Sequence, residues 1–162
     1  MKRYRTRYWQ QLAENNRVLD PQFAKYLRQC ARPRQIAYQR LMSMSDGNPV
    51  GIECRSESGD VWGFILPDAA GEAPFRIQNF DADGCFGHSC YQALQDAVET
   101  MIGDGYRIPD PGALDRCSAT LRWALGVRHM DLRLLFNQGN LSFTEMLERM
   151  NAVTLEMEGA PS

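Results

Sequence analysis

The stretch Asp81-Ala-Asp-Gly-Cys-Phe-Gly-His-Ser-Cys90 gathers within ten residues the oxygen, nitrogen and sulfur side chains that metal and thiol chemistry use. Cys85, His88 and Cys90 are zinc-ligand types, with Cys54 available as a fourth sulfur. One ion reaches all three only if the stretch is a loop, because on a strand Cys85 points away from His88 and Cys90. A calcium loop begun at Asp81 needs a bidentate glutamate at its twelfth position, where Gln92 stands, and an oxygen ligand where Cys85 stands. Cys90 and His88 share a strand face, and a helix N-terminus nearby would lower a thiol pKa, which leaves a Cys/His enzyme as a third reading, although a cysteine beside a turn is more often structural. Gly87-His88-Ser89 is not a nucleophile elbow, and Ser89 reads instead as the cap of the next helix. Phosphate-binding glycine loops, dinucleotide fingerprints and zinc-protease motifs are absent. The expectation is a protein without catalytic residues, metal or cofactor, that is, not an enzyme.

Charge is the stronger signal. Residues 1–40 hold ten Lys or Arg against two Asp or Glu, residues 41–111 hold three against twelve, and residues 112–162 hold five against six. The overall −2 therefore conceals a basic start joined to an acidic middle. Blocks of that size create potentials reaching roughly 8 Å in physiological salt and so select partners. Sixteen of the eighteen cations are arginine, which suits bidentate contacts to phosphate or carboxylate. In the basic arm, Arg3, Arg5, Arg7 and Arg17 interleave with Tyr8 and Trp9, and further cations follow at Lys25, Arg28, Arg32, Arg34 and Arg40. Cations alternating with rings can pair phosphates and stack bases. In the acidic middle, Glu53, Glu57, Asp60, Asp81 and Asp83 could imitate nucleic-acid phosphates in a basic groove of another protein. The alternative is that the two blocks neutralise each other, within one fold or across a homodimer.

The elements that must position these residues read as follows. A basic helix over 3–18 carries Tyr4, Tyr8 and Leu12 on one stripe. A second helix starts at Asp20-Pro21 and stops before Pro33, and residues 35–42 fit either a third helical piece or a strand. From Val50 the period changes to two, predicting an antiparallel sheet of three or four strands over 50–55, 61–66, 75–80 and 85–90, with Trp62, Phe64, Phe75 and Ile77 on its covered face. The covering helix is 92–103, with Ala93, Leu94, Ala97, Val98, Met101 and Ile102 in register. Residues 106–112 read as a rigid connector. Helices near 114–124 and 128–136 follow, then one opened by the capping box Ser142-x-x-Glu145. The fold class is α+β, in one domain over 1–162: a basic helical segment 1–45, a sheet-plus-helix segment 48–111 and a helical segment 112–157. The arm and the last residues read as loose.

A chain of 162 residues buries about 68–70 % of its unfolded surface and needs no disulfide. Five cysteines at irregular spacing fit reduced thiols in a cytoplasmic protein. The basic N-terminus lacks the apolar run of a signal peptide, and no stretch is apolar enough to span a membrane.

Residues 75–102, two strands and an Ala-rich helix, resemble the three-stranded sheet plus helix of integrase-type DNA-binding domains, although this sheet region offers only Arg55 and Arg76 as cations. Residues 137–149 are similar to the helical hairpin tails of many bacterial interaction proteins. With its His-Ser-Cys-Tyr strand end and the connector Gly105-Tyr-Arg-Ile-Pro-Asp-Pro-Gly-Ala-Leu-Asp115, the chain resembles phage and plasmid accessory proteins of the anti-CRISPR type. That resemblance implies a non-enzymatic inhibitor docking on a host protein or nucleoprotein complex. A small DNA- or RNA-binding regulator using the Arg/Tyr arm is the alternative.

Overall fold

The computed structural model describes residues 3–15, 18–68, 71 and 73–159. Among these residues it is an α+β fold of six helices and a five-stranded sheet in the order β4-β3-β2-β1-β5. Among the described residues no helix is long and apolar enough to cross a membrane. The chain gathers into two compact units, Met1–Asn79 with Gly87–Pro111, and Phe80–Phe86 with Gly112–Ser162.

In the first unit, α1 (Arg7–Glu14) is shorter than the expected 3–18. Thr6 caps it, its Oγ1 accepting the Trp9 N–H at 3.1 Å. The residues before it stay extended because α2 offers their backbone better partners than a helix turn would. The Tyr4 N–H donates to Gln39 Oε1 at 2.6 Å, the Thr6 N–H donates to Gln35 Oε1 at 3.0 Å, and Gln35 Nε2 donates back to the Tyr4 carbonyl at 2.8 Å. Tyr4 to Thr6 is thus stapled, contrary to the loose arm expected from sequence.

α2 (Pro21–Met44) is one helix of 24 residues, about 36 Å long. Asp20 caps it by accepting from Gln22 and Phe23 N–H, with Pro21 in the first turn. It runs through Pro33 where a stop was expected, and residues 35–42 are helical, not a strand. Pro33 removes one helical hydrogen bond, at a cost of about 3 kcal/mol in an ordinary helix interior. Both Pro33 and Gln29, whose carbonyl loses its donor, are solvent-exposed, and burial of Ala31, Ala37, Tyr38, Leu41 and Met42 on the other side holds the helix together.

The sheet comprises β1 (Cys54–Ser56), β2 (Trp62–Pro67), β3 (Phe75–Asp81), β4 (Gly84–Tyr91) and β5 (Tyr106–Pro109). β5 lies in the expected connector. It pairs antiparallel with β1, Cys54 opposite Pro109 and Arg55 opposite Ile108, with a bulge at Arg55/Ser56. Pro109 lacks an N–H and is tolerated because β5 is an edge strand. The 50–55 strand contracts to β1, leaving Val50 in a single parallel bridge to Ile65.

α3 (Leu94–Gly103) covers the sheet as expected, starting at an Ala93 cap; Ser89 lies inside β4 and caps nothing. The core joins Tyr38, Leu41 and Met42 of α2, Cys54, Ile65 and Ile77 of the sheet, and Ala97, Val98, Met101 and Ile102 of α3. The covered face therefore uses Ile65 where Trp62 and Phe64 were expected; alternation turns those two to the opposite side. Trp62 keeps its indole N–H satisfied by donating to Asp110 Oδ2 at 2.8 Å.

The second unit consists of the 80–86 turn and three helices, α4 (Ala113–Ser118), α5 (Leu121–Asn137) and α6 (Phe143–Glu158). The break expected between 124 and 128 falls instead at Ala119 and Thr120, so α4 takes the start of the helix expected near 114–124 and α5 joins its end to the one expected near 128–136. Thr120 caps it by accepting from Trp123 N–H, and the Ser142/Glu145 capping box opens α6 as expected. α5 lies against the 80–86 turn, where the Phe80 and Trp123 rings meet edge-on at 6.0 Å and the Asp83 backbone reaches Gly126. A Cβ at 126 would sit 1.9 Å from the Asp83 carbonyl oxygen. Both partners are backbone, so Gly126→Ala is expected to destabilise the second unit by about 3 kcal/mol. Urea unfolding followed by far-UV circular dichroism would measure this, and an unchanged midpoint would refute the close approach.

Candidate functional site

α2 contains four arginines and one lysine between Pro21 and Met44 and no carboxylate at all. Lys25, Arg32, Ile36 and Arg40 are exposed and fall within about a quarter turn of one another at helical spacing. Lys25 and Arg40 are separated by ~22 Å along the axis. None of the ion pairs among the described residues involves Lys25, Arg32 or Arg40. Tyr26, more than half exposed, borders the face at its N-terminal end, whereas Phe23, also exposed, lies about 140° round the helix from it. The Tyr26 hydroxyl bonds to the Cys30 side chain one turn on, which raises its pKa above the ordinary tyrosine value.

The structure places the expected arm residues differently from one another. Arg3 and Arg5 are exposed, on the segment stapled to α2. Arg7 is held by α3: its backbone N–H donates to Glu99 Oε1 at 2.8 Å and its guanidinium pairs with Asp96. Tyr8 is exposed, Trp9 is half-buried, and Arg17 lies outside the described residues. On the far side of α2, Arg34 shares a cleft of about 380 Å³ with Asp96, Glu99 and Asp104. Part of the arm thus answers the protein's own carboxylates, while the outward face of α2 does not.

The acidic candidates are engaged where they stand. Glu57 accepts from Arg107 Nη1 at 2.7 Å, and Asp60 pairs with Arg55 at 3.5 Å. Both oxygens of Asp83 accept from Arg122, each at 2.7 Å. This fork holds the Asp83 carboxyl below the ordinary aspartate range and raises Arg122 in turn. Asp81 Oδ1 accepts the Asp83 N–H at 2.7 Å, shaping the turn, and Glu53 is buried. Glu57 and Asp60 sit in the β1–β2 connection, and Asp81 and Asp83 at the β3–β4 turn.

The stretch around Cys85, His88 and Cys90 is strand, so alternation separates Cys85 from the other two. Among the described residues no group of three or more His, Cys, Asp or Glu converges to hold a metal, and no disulfide links the cysteines. A cleft of about 390 Å³ in the second unit is lined by Phe86, Arg122, Leu125, His129, Met130 and Arg133, among others, with no Ser, Cys or Lys in its wall. His129 Nε2 lies 3.2 Å from both the Met150 carbonyl and Thr154 Oγ1. A carbonyl only accepts, so the proton sits on Nε2, and that nitrogen is occupied in joining α5 to α6.

The chain matches no protein-family model, no curated protein and no solved structure. Sequence reasoning had the cations of α2 in hand but broke their helix at Pro33. The signal that would have joined them was the four-residue spacing of Arg28, Arg32, Ile36 and Arg40 across that proline.

Cysteine chemistry checks these placements. Burial, and secondarily the neighbouring Glu53, pushes the Cys54 thiol up to about 12, whereas Cys30 is exposed on α2. At pH 8 the folded protein is expected to label at Cys30 with a maleimide while Cys54 reacts only after unfolding. Peptide mapping that found Cys54 labelled at the rate of Cys30 would contradict the packing of β1.

Proposed function

We propose that this is a non-enzymatic binding protein of mobile-element type that docks on a bacterial nucleic-acid-handling complex and inhibits it, in the manner of anti-CRISPR proteins. The contact surface is the outward face of α2, and its target is the phosphate backbone that such a complex holds. One observation carries the reading: a 24-residue helix with five cations and no carboxylate turns Lys25, Arg32 and Arg40 to solvent. The acidic candidates support it by contrast. Glu57 and Asp83 each accept from an arginine of their own fold at 2.7 Å, which weakens them as phosphate mimics. A small DNA- or RNA-binding regulator is the second reading, favoured by the same face with Tyr26 beside it as a stacking platform.

Binding across a salt series tests both. Each phosphate contact contributes about 0.9 to the slope of log K against log salt on duplex and about 0.7 on single strands. Replacing Lys25, Arg32 and Arg40 together by Ala is expected to reduce the duplex slope by about 3 and to weaken binding at every sequence alike. Tight binding to bare oligonucleotides selects the regulator. Binding only to a nucleoprotein complex, abolished by nuclease treatment, selects the docking inhibitor. If the triple replacement left both kinds of binding unchanged, the α2 face would be removed from the interface.

A further inference from the structure

α5 is the anomaly of the second unit. Ten of its seventeen residues are Leu, Phe, Trp, Val, Met or Ala, yet none is buried. Two of its sides are occupied: His129 and Phe136 meet α6, through Met150, Thr154 and the edge-on Phe143 ring at 6.0 Å, and Gly126 meets the 80–86 turn. The remaining side carries Leu121, Ala124, Arg128, Asp131 and Leu135 at alternating spacings of three and four, the seam of a helix that pairs with another helix. Val127 and Leu134 flank it. Leu121 and Leu134 are 54 % and 56 % exposed, where a leucine on a self-sufficient helix would face a core.

We propose that this seam is the interface of a homodimer in which α5 packs antiparallel against α5 of a second copy. From Ala124 to Leu135 the seam is self-complementary, which an isologous two-fold contact requires. With the axis passing between His129 and Met130, residues equally distant from that point face each other. Arg128 then lies opposite the partner's Asp131, and Asp131 opposite the partner's Arg128. Ala124 lies opposite the partner's Leu135, a small residue receiving a large one, and the same pair repeats on the other side of the axis. In the single chain Arg128 reaches Glu156 at 3.5 Å with both side chains about half exposed or more, a contact loose enough to exchange. The opposed charges fix antiparallel orientation and register, since a shift or a parallel arrangement brings charge against leucine or like against like.

Light scattering after size exclusion, on the full chain over a concentration series, tests this by charge reversal. The wild type is expected to dimerise. Arg128→Asp alone and Asp131→Arg alone each place like charges across the axis and weaken self-association roughly a hundredfold or more. Mixing these two variants in equal amounts restores a dimer, because one then presents only acids and the other only bases at the axis. The double swap Arg128→Asp with Asp131→Arg also restores it. Ala124→Gln, a good helix former set where the partner's Leu135 belongs, dissociates the dimer without changing charge. A wild type that stays monomeric, single reversals that dimerise normally, or a mixture that does not reassociate would each overturn the proposal. None of these outcomes depends on α2 or on nucleic acid, so the result stands apart from the proposed function.

Discussion

Two glutamine side chains hold the orientation on which the first unit depends. Gln35 and Gln39 of α2 satisfy the backbone of Tyr4 and Thr6, and Arg7 continues the attachment to Asp96 and Glu99 of α3. The side chain of Gln35 both accepts and donates, so it fixes the strand-like segment in one register. This attachment completes the cover over one flank of α2, its apolar side is taken by the core, and the side that meets water carries cations without carboxylates. A basic helix so placed is held rigid by groups that do not include its own outward charges. Those charges remain available to a partner.

The two units solve different physical problems. The first has a core of aliphatic and aromatic side chains between α2, the sheet and α3, several of them wholly excluded from solvent. The second has little comparable: Phe80, Ala113, Leu141 and Met146 are buried, while large apolar groups of α5 and α6 stay exposed. A piece of this size buries only about 60 % of the surface its unfolded chain exposes and is correspondingly marginal. It relies on caps, on the Asp83–Arg122 fork and on the backbone contact at Gly126. An exposed apolar seam interrupted by one cation and one anion is what a surface completed by a copy of itself would carry.

Much of the fold was legible because it rests on local signals. The period-two runs around Trp62 and Phe75, the amphipathic stretch at 94–102 and the Ser142/Glu145 box each specify their element through nearest neighbours. What escaped was decided at long range. Pro33 reads as a stop, but tertiary burial of Ala37, Tyr38, Leu41 and Met42 carries the helix past it. Tyr106 to Pro109 is too short and too proline-bounded to announce a strand, and becomes one because β1 has an edge to offer. The sheet face was misassigned for a similar reason: Trp62 and Phe64 look like core, but α3 packs on the side of Ile65. The candidate site was legible as a set of charges and not as a surface. Sequence cannot show that Arg7 would be taken up by α3, or that Glu57, Asp60 and Asp83 would find arginines of their own.

The central claim is that the carboxylate-free side of α2 is where phosphate meets this protein. Chemical-shift mapping by NMR during titration with a short duplex addresses it most directly, since it reports every amide at once. The account predicts that perturbations concentrate on α2 between Lys25 and Arg40, on the turns carrying Lys25, Gln29, Arg32, Ile36 and Arg40, and fade as salt is raised. Perturbations centred instead on Glu53, Glu57 and Asp60, or on the 81–83 turn, would contradict it.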